Sequence, residues 1–157
     1  MKLQIIKIIK LYQAIESIRS RADLNKRFSY ALIKTKANIQ SVFDAVAEME
    51  KLSPQMQGFE RERLEAAQKF AKRKESGDID AEGMVIRLEN PVAYNKTVES
   101  LRKKYQKAVE AHEKSRREIE EHLKREDEVD LHKIPFDFLP ETIAPEILEA
   151  LQPMIAE

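Results

Sequence analysis

From Leu24 to Met49, apolar or small residues return at intervals of three and four: Leu24, Phe28, Ala31, Leu32, Thr35, Ile39, Val42, Val46 and Met49. That period puts them on one face of an α-helix, and a run of roughly 28 residues spans about 40 Å. A helix this long with one apolar stripe needs a second apolar surface to lie against. Asp23 is placed to cap its start with a carboxylate oxygen. Ser53-Pro54 ends it, because the residue before proline is pushed out of the α region.

The rest of the chain offers several partners for that stripe. Leu3 and Ile5 alternate with polar neighbours, which predicts a short strand over residues 2–6. Ile8, Ile9, Tyr12 and Ile15 then suit a helix from Ile8 to Arg21. A second helix is expected from Met56 to Glu75, with Phe59, Leu64, Ala67, Phe70 and Ala71 as its apolar residues. Gly58 weakens its beginning, and Gly77 stands just past its end, where a left-handed residue commonly closes a helix. Between Gly77 and Leu88 the helical period breaks. Ile79, Met84, Val85, Ile86 and Leu88 read as a small β-hairpin or ordered loop within 76–90.

Asn90-Pro91 is a helix start, with asparagine as cap and proline in the first turn. The longest helix is expected from there to Arg125. Val98, Leu101, Tyr105, Ala108, His112, Ser115, Ile119 and His122 form a seam like that of a coiled coil, weakened by alanine, serine and histidine where leucine would stabilise. Val109 and Leu123 widen the stripe. Val129 to Ile134 alternates briefly and is expected to pair with the N-terminal strand. Pro135, Phe136, Phe138, Leu139 and Pro140 follow, and Pro145 opens a last short helix that Pro153 ends. So apolar a tail is expected to cover the chain's own core.

These elements predict a mainly α fold: an elongated helical hairpin or three-helix bundle with long charged helices, and a small two-stranded β element joining the termini. A length of 157 residues suits one domain, 1–157. Within it, 1–22 is an N-terminal strand and helix, 23–126 the hairpin, and 127–157 a C-terminal cap.

Charge limits the functions open to this chain. Lys, Arg, Asp and Glu make up 36% of it, against about 25% in an average protein. The net charge is zero but unevenly spread. Residues 1–47 carry nine bases and three acids, a net of +6, whereas 110–157 carry six bases and fourteen acids, a net of −8. The simpler consequence is that the basic start packs beside the acidic end. The alternative is a nucleic-acid contact through the basic segment. Against it, the segment has no extended Lys/Arg run and no set of aromatics interleaved with the bases of the kind single-strand binders usually show. A helix–turn–helix drawn around Asp23 would need a short recognition helix, and the one here is long.

Motifs for chemistry are missing. With no cysteine, thiol nucleophiles and thiolate metal sites drop out. The three glycines, Gly58, Gly77 and Gly83, are too dispersed for a phosphate-binding loop. Asp78, Asp80 and Glu82 do not complete a calcium loop, since no glutamate stands at its twelfth position. His112 and His122 are ten residues apart, about 80° around a helix. Glu118 and His122 would supply only two metal ligands. The expectation is therefore no catalytic residue, no cofactor and no metal. No stretch approaches the ~20 apolar residues of a membrane span, and no signal-peptide pattern opens the chain. The contact residues expected are Lys26, Arg27 and Lys34 on the wet face of the long helix, and Phe136, Phe138 and Leu139 in the tail.

Four stretches together resemble a family of small proteins of unknown function encoded by tailed bacteriophages and prophages. They are Ile8-Ile-Lys-Leu-Tyr-Gln-Ala-Ile15; Lys26-Arg-Phe-Ser-Tyr-Ala-Leu-Ile-Lys34 with Asn38 and Ile39; the turn-rich interruption around Gly77–Gly83; and Glu128-Val-Asp-Leu-His-Lys-Ile134 with the ending Ile147 to Ile155. The long helix after Asn90 departs from the family, whose members commonly have a shorter middle. The resemblance brings no activity and no functional residues. It implies a viral origin, in the host cytoplasm or associated with the virion. It also implies a short list of partners, a viral structural protein or a host protein, while the weak seam after Asn90 permits a monomer or a homodimer.

Overall fold

The computed structural model describes residues 1–83 and 85–156. The fold is mainly α: 65% of the described residues are helical, in six α-helices and two short 3₁₀ turns, with only short strands between them. In chain order the elements are β1 (Lys2–Gln4), α1 (Ile5–Ile18), α2 (Lys26–Met49), α3 (Pro54–Lys69), β2 (Ala81–Glu82), β3 (Val85–Ile86), α4 (Pro91–Lys104), α5 (Gln106–Lys124), β4 (Glu126–Glu128), β5 (Ile134–Pro135), α6 (Pro145–Leu151) and β6 (Ile155–Ala156). Short 3₁₀ turns cover Phe136–Phe138 and Gln152–Met154. The contacts gather into two compact units, residues 1–50 with 117–157, and residues 51–116. Their boundaries fall between α2 and α3 and within α5.

In the first unit, α1 packs against α2 and α6. Ile8, Leu11, Ile15 and Ile18 of α1 meet Phe28, Ala31, Leu32 and Ile39 of α2, all with at most 2% of their surface exposed. Each such side chain contributes roughly 1.5–3 kcal/mol by leaving water. The stripe expected along α2 is therefore the buried one, fraying at Met49, which is 37% exposed. Its first turn differs from expectation. Asn25, not Asp23, caps the helix, accepting from the Arg27 amide at 2.8 Å. Asp23 is drawn aside by the Arg21 guanidinium, which also donates to the Thr142 carbonyl.

The tail closes this core. Val129, Leu131, Ile134, Leu151 and Met154 belong to the same buried cluster. The N-terminal strand pairs not with residues 129–134, as expected, but with the three residues just before Val129. Lys2 lies opposite Glu128, Leu3 opposite Asp127 and Gln4 opposite Glu126. The Met1 amine donates to the Val129 carbonyl at 2.7 Å, and the Ile5 amide to that of Arg125 at 2.9 Å. The ladder starts where two helices end, so the boundaries of α1 and α5 set its register. Helix α1 begins at Ile5 rather than Ile8, and Leu131 and Ile134 are left for the core. Ile134-Pro135 pairs instead with Ile155-Ala156, in parallel.

Helix α2 stops at Met49, before the Ser53-Pro54 pair expected to end it; in the second unit Ser53 instead caps α3, its hydroxyl accepting from the Met56 amide at 3.2 Å, and Pro54 fills the first turn. Helix α3 stops at Lys69, six residues short of expectation, because the chain beyond it enters β bridges. Ala71 pairs with Leu88 and Arg73 with Ile79, beside the β2–β3 hairpin. Gly77, at φ +88°, turns this segment instead of closing a helix; left-handed backbone of this kind favours glycine. Met84, expected in the hairpin, lies outside the described residues. Of the apolar residues expected to be covered on α3, Phe59 and Ala67 are buried, whereas Leu64 is 51% exposed.

Asn90 caps α4 as expected, accepting from the Ala93 amide at 3.0 Å. The single helix expected to Arg125 is broken at Tyr105, whose φ of −107° and ψ of 22° leave the α region. All eight seam positions from Val98 to His122 are half-buried, but no residue of α4 or α5 is fully buried. The burial expected of that stripe is thus only partial, as its alanine, serine and histidines dictate: small or polar groups leave little apolar surface to hide.

Candidate interaction surface

The outer face of α2 opens with Lys26 and Arg27, returns one turn later at Tyr30 and another turn later at Lys34. A spacing of four residues stacks Lys26, Tyr30 and Lys34 on one side. All four side chains are exposed, Tyr30 by 52%. The tail crosses beside this face. Its path is held by the buried Thr35, whose hydroxyl accepts from the His132 amide at 3.1 Å, and by Asn38, which donates to the Asp130 carbonyl at 3.0 Å. These two bonds deliver His132, Lys133 and Phe138 to the basic face.

The result is an apolar hollow of about 370 Å³ lined by Lys26, Arg27, Tyr30, His132, Lys133, Ile134, Pro135 and Phe138. The Arg27 guanidinium stands 5.1 Å from the centre of the Phe138 ring, and the Lys34 ammonium 5.7 Å from that of Tyr30. His132 meets Tyr30 edge-on at 5.5 Å. Tyr30, His132 and Lys133 also line a neighbouring hollow with Lys34, Asn38 and Asp130. Lys133 donates to the Pro153 carbonyl at 2.7 Å. Among the described residues, no carboxylate pairs with Lys26, Arg27, Lys34 or Lys133, although ion pairs form elsewhere, such as Lys36 with Glu16 at 2.6 Å. Lys36 holds the Glu16 carboxyl below the usual carboxylate range.

Four of the six residues expected to make contacts therefore share one surface: Lys26, Arg27, Lys34 and Phe138. Phe136 is 65% exposed and faces a separate hollow with Met1, Leu3, Ile155 and Ala156. Leu139 packs against the chain's own core, because the 3₁₀ turn over Phe136–Phe138 swings it inward. Sequence reasoning missed Tyr30, His132 and Lys133. Tyr30 was within reach through its spacing from Lys26 and Lys34, but His132 and Lys133 come from 100 residues away.

Other grooves are less one-sided. Between α1 and α6 a hollow of about 530 Å³ carries Lys7 and Lys10 on one wall and Glu146 and Glu149 on the other, so its charges oppose each other. The basic start does lie beside acids of the end here, as the charge distribution suggested. In the second unit, Asp80 and Glu82 face the Arg87 guanidinium at 3.8 and 3.0 Å. Among the described residues no three His, Asp or Glu side chains converge as a metal site would require, and no helix is long and apolar enough to cross a membrane. No family model matches the chain, and no curated protein or solved structure is significantly similar to it.

Proposed function

We propose that this is a non-enzymatic phage protein that works by contact with another protein, as a virion or tail assembly factor or as an inhibitor of a host system. The observation that carries this reading is the surface at Lys26, Arg27, Tyr30, Lys34, His132, Lys133 and Phe138. It gathers Lys26, Arg27 and Lys133 around an apolar hollow, with no carboxylate paired to them among the described residues. Apolar pockets rimmed by polar groups, with Tyr and Arg at their centre, are the usual anatomy of protein contacts. The segment resemblance supports a site of action in the host cytoplasm or on the virion.

The test is a photo-crosslinking amino acid at position 30, in infected cells, with position 64 as an exposed control. A discrete protein crosslinked from position 30 and not from position 64 is the expected result. Hydrolysis of a nucleotide or cleavage of a nucleic acid by the purified chain, lost on changing one residue, would end this reading. The second reading is a nucleic-acid accessory protein, favoured only by the +6 net charge of residues 1–47. Phosphate contacts release counterions, so it requires binding that weakens steeply from low to high salt.

A further inference from the structure

We infer that the hollow beside Tyr30 takes an acid-rich peptide segment of its partner, with one large apolar side chain inserted among flanking carboxylates. The inference rests on the protein-contact reading above and names the chemistry of that contact.

Three observations lead to it. First, Lys26, Arg27, Lys34 and Lys133 ring the surface with no carboxylate paired to any of them among the described residues. Isolated surface cations are common, but three around one apolar hollow, with Lys34 on the hollow beside it, form a field that an anionic segment neutralises. Second, Ile134 and Pro135 give the hollow an apolar lining, and its volume of about 370 Å³ lies at the small end of pockets that hold compact ligands. That suits one anchoring side chain and is too small for a globular surface to enter. Third, the aromatic rings are already engaged. Arg27 covers Phe138, Lys34 covers Tyr30, and His132 meets Tyr30 edge-on. Single-stranded nucleic acids bind by stacking bases on open ring faces. Rings engaged by cations leave the charges at the rim and the apolar Ile134 and Pro135 as the recognising elements, which favours a peptide over a nucleic acid.

The first turn of α2 bears on the choice of test. Lys26 and Arg27 stand at the helix end where the backbone dipole is positive and no acid offsets it. An acid there suits the dipole better, so Lys26→Glu and Arg27→Glu leave the fold intact while removing the rim charge.

The experiment is fluorescence anisotropy on the full chain with three labelled probes. One is a peptide of about 15 residues, rich in Glu and Asp, with one central phenylalanine. The second has serine in place of that phenylalanine, and the third is oligothymidylate of equal length. The first probe is expected to bind. Its affinity is expected to fall about tenfold or more when its phenylalanine is removed, and about tenfold or more with Arg27→Glu or Lys26→Glu, the size of a lost anchor or buried charge contact. Circular dichroism confirms that each variant is folded, and Lys34→Glu serves as a further variant. Several results overturn the inference: oligothymidylate binding tighter than the acidic peptide, equal affinity for the two peptides, or no peptide binding. A dimer in sedimentation that Arg27→Glu dissolves would identify a second copy as the occupant and overturn it too. If a crosslink from position 30 forms while no acidic peptide binds, the protein-contact reading stands and this inference alone falls.

Discussion

At the scale of single residues, Glu62 shows how little of a local arrangement spacing reveals. Its carboxylate receives the Lys104 ammonium at 2.7 and 2.8 Å and the Tyr105 hydroxyl at 2.7 Å. Tyr105 also meets Phe59 edge-on at 6.0 Å. A Cβ on Gly58 would stand 3.2 Å from the Tyr105 hydroxyl, so glycine on α3 admits the ring, and its role is more than weakening a helix start. The Lys104 bond, then the Tyr105 bond, hold the Glu62 carboxyl below its ordinary range. A depressed carboxyl stabilises the fold at neutral pH, and that contribution is lost as pH falls through the folded value. At 28% side-chain exposure, solvent screens the effect. Wild type is therefore expected to melt a little higher than Glu62→Gln at pH 7, with the gap closing towards pH 3. A gap unchanged over that range in thermal melts would refute the assignment.

The elements carry a different lesson, that of the tail. Density of apolar residues marked 127–157 as a covering segment, and Pro145 marked the start of α6. Which apolar residues go inward depended on two turns. Leu151 and Met154 are fully buried because the 3₁₀ turn over Gln152–Met154 redirects the chain after α6. Phe136 stays in water and Leu139 does not. Leu151→Ala should destabilise the first unit by about 2–5 kcal/mol, the usual cost of emptying a leucine site in a packed core. Chemical denaturation followed by circular dichroism measures it, and a loss below about 0.5 kcal/mol would mean the tail is not part of the core. The break at Tyr105 belongs to this scale too. No glycine or proline marks it; the ring's hold on Phe59 and Glu62 comes from another helix, so the α4–α5 period alone reads as unbroken.

For the whole molecule, the uneven depth of burial matters most. Ile8, Leu11, Phe28 and Ile39 are fully buried, whereas α4 has no fully buried residue. Local opening is easiest where few apolar contacts resist it. Backbone amides of α1 and the middle of α2 are expected to exchange with deuterium about tenfold or more slowly than those of α4. Equal protection along both, measured by mass spectrometry, would show that the two units open together. The contact surface at Tyr30 lies on the deeply packed unit. Thr35 and Asn38 anchor the tail there, so the hollow is held by buried structure rather than by a mobile loop.

Periodicity and punctuation determined most of the secondary structure: the α2 stripe, the Asn90-Pro91 start of α4, the Pro145 start of α6, and the mainly α class. These are short-range properties, set by which side chains fall on one helix face and by which residues can cap or break it. The tertiary structure decided what depends on distant groups meeting. It set the register of β1 against β4, the early end of α3, the kink at Tyr105 and the direction of each tail residue. It also decided the contact surface, since Lys26, Tyr30 and Lys34 share a helix face by spacing alone, whereas His132, Lys133 and Phe138 reach them only because Thr35 and Asn38 hold the tail across α2.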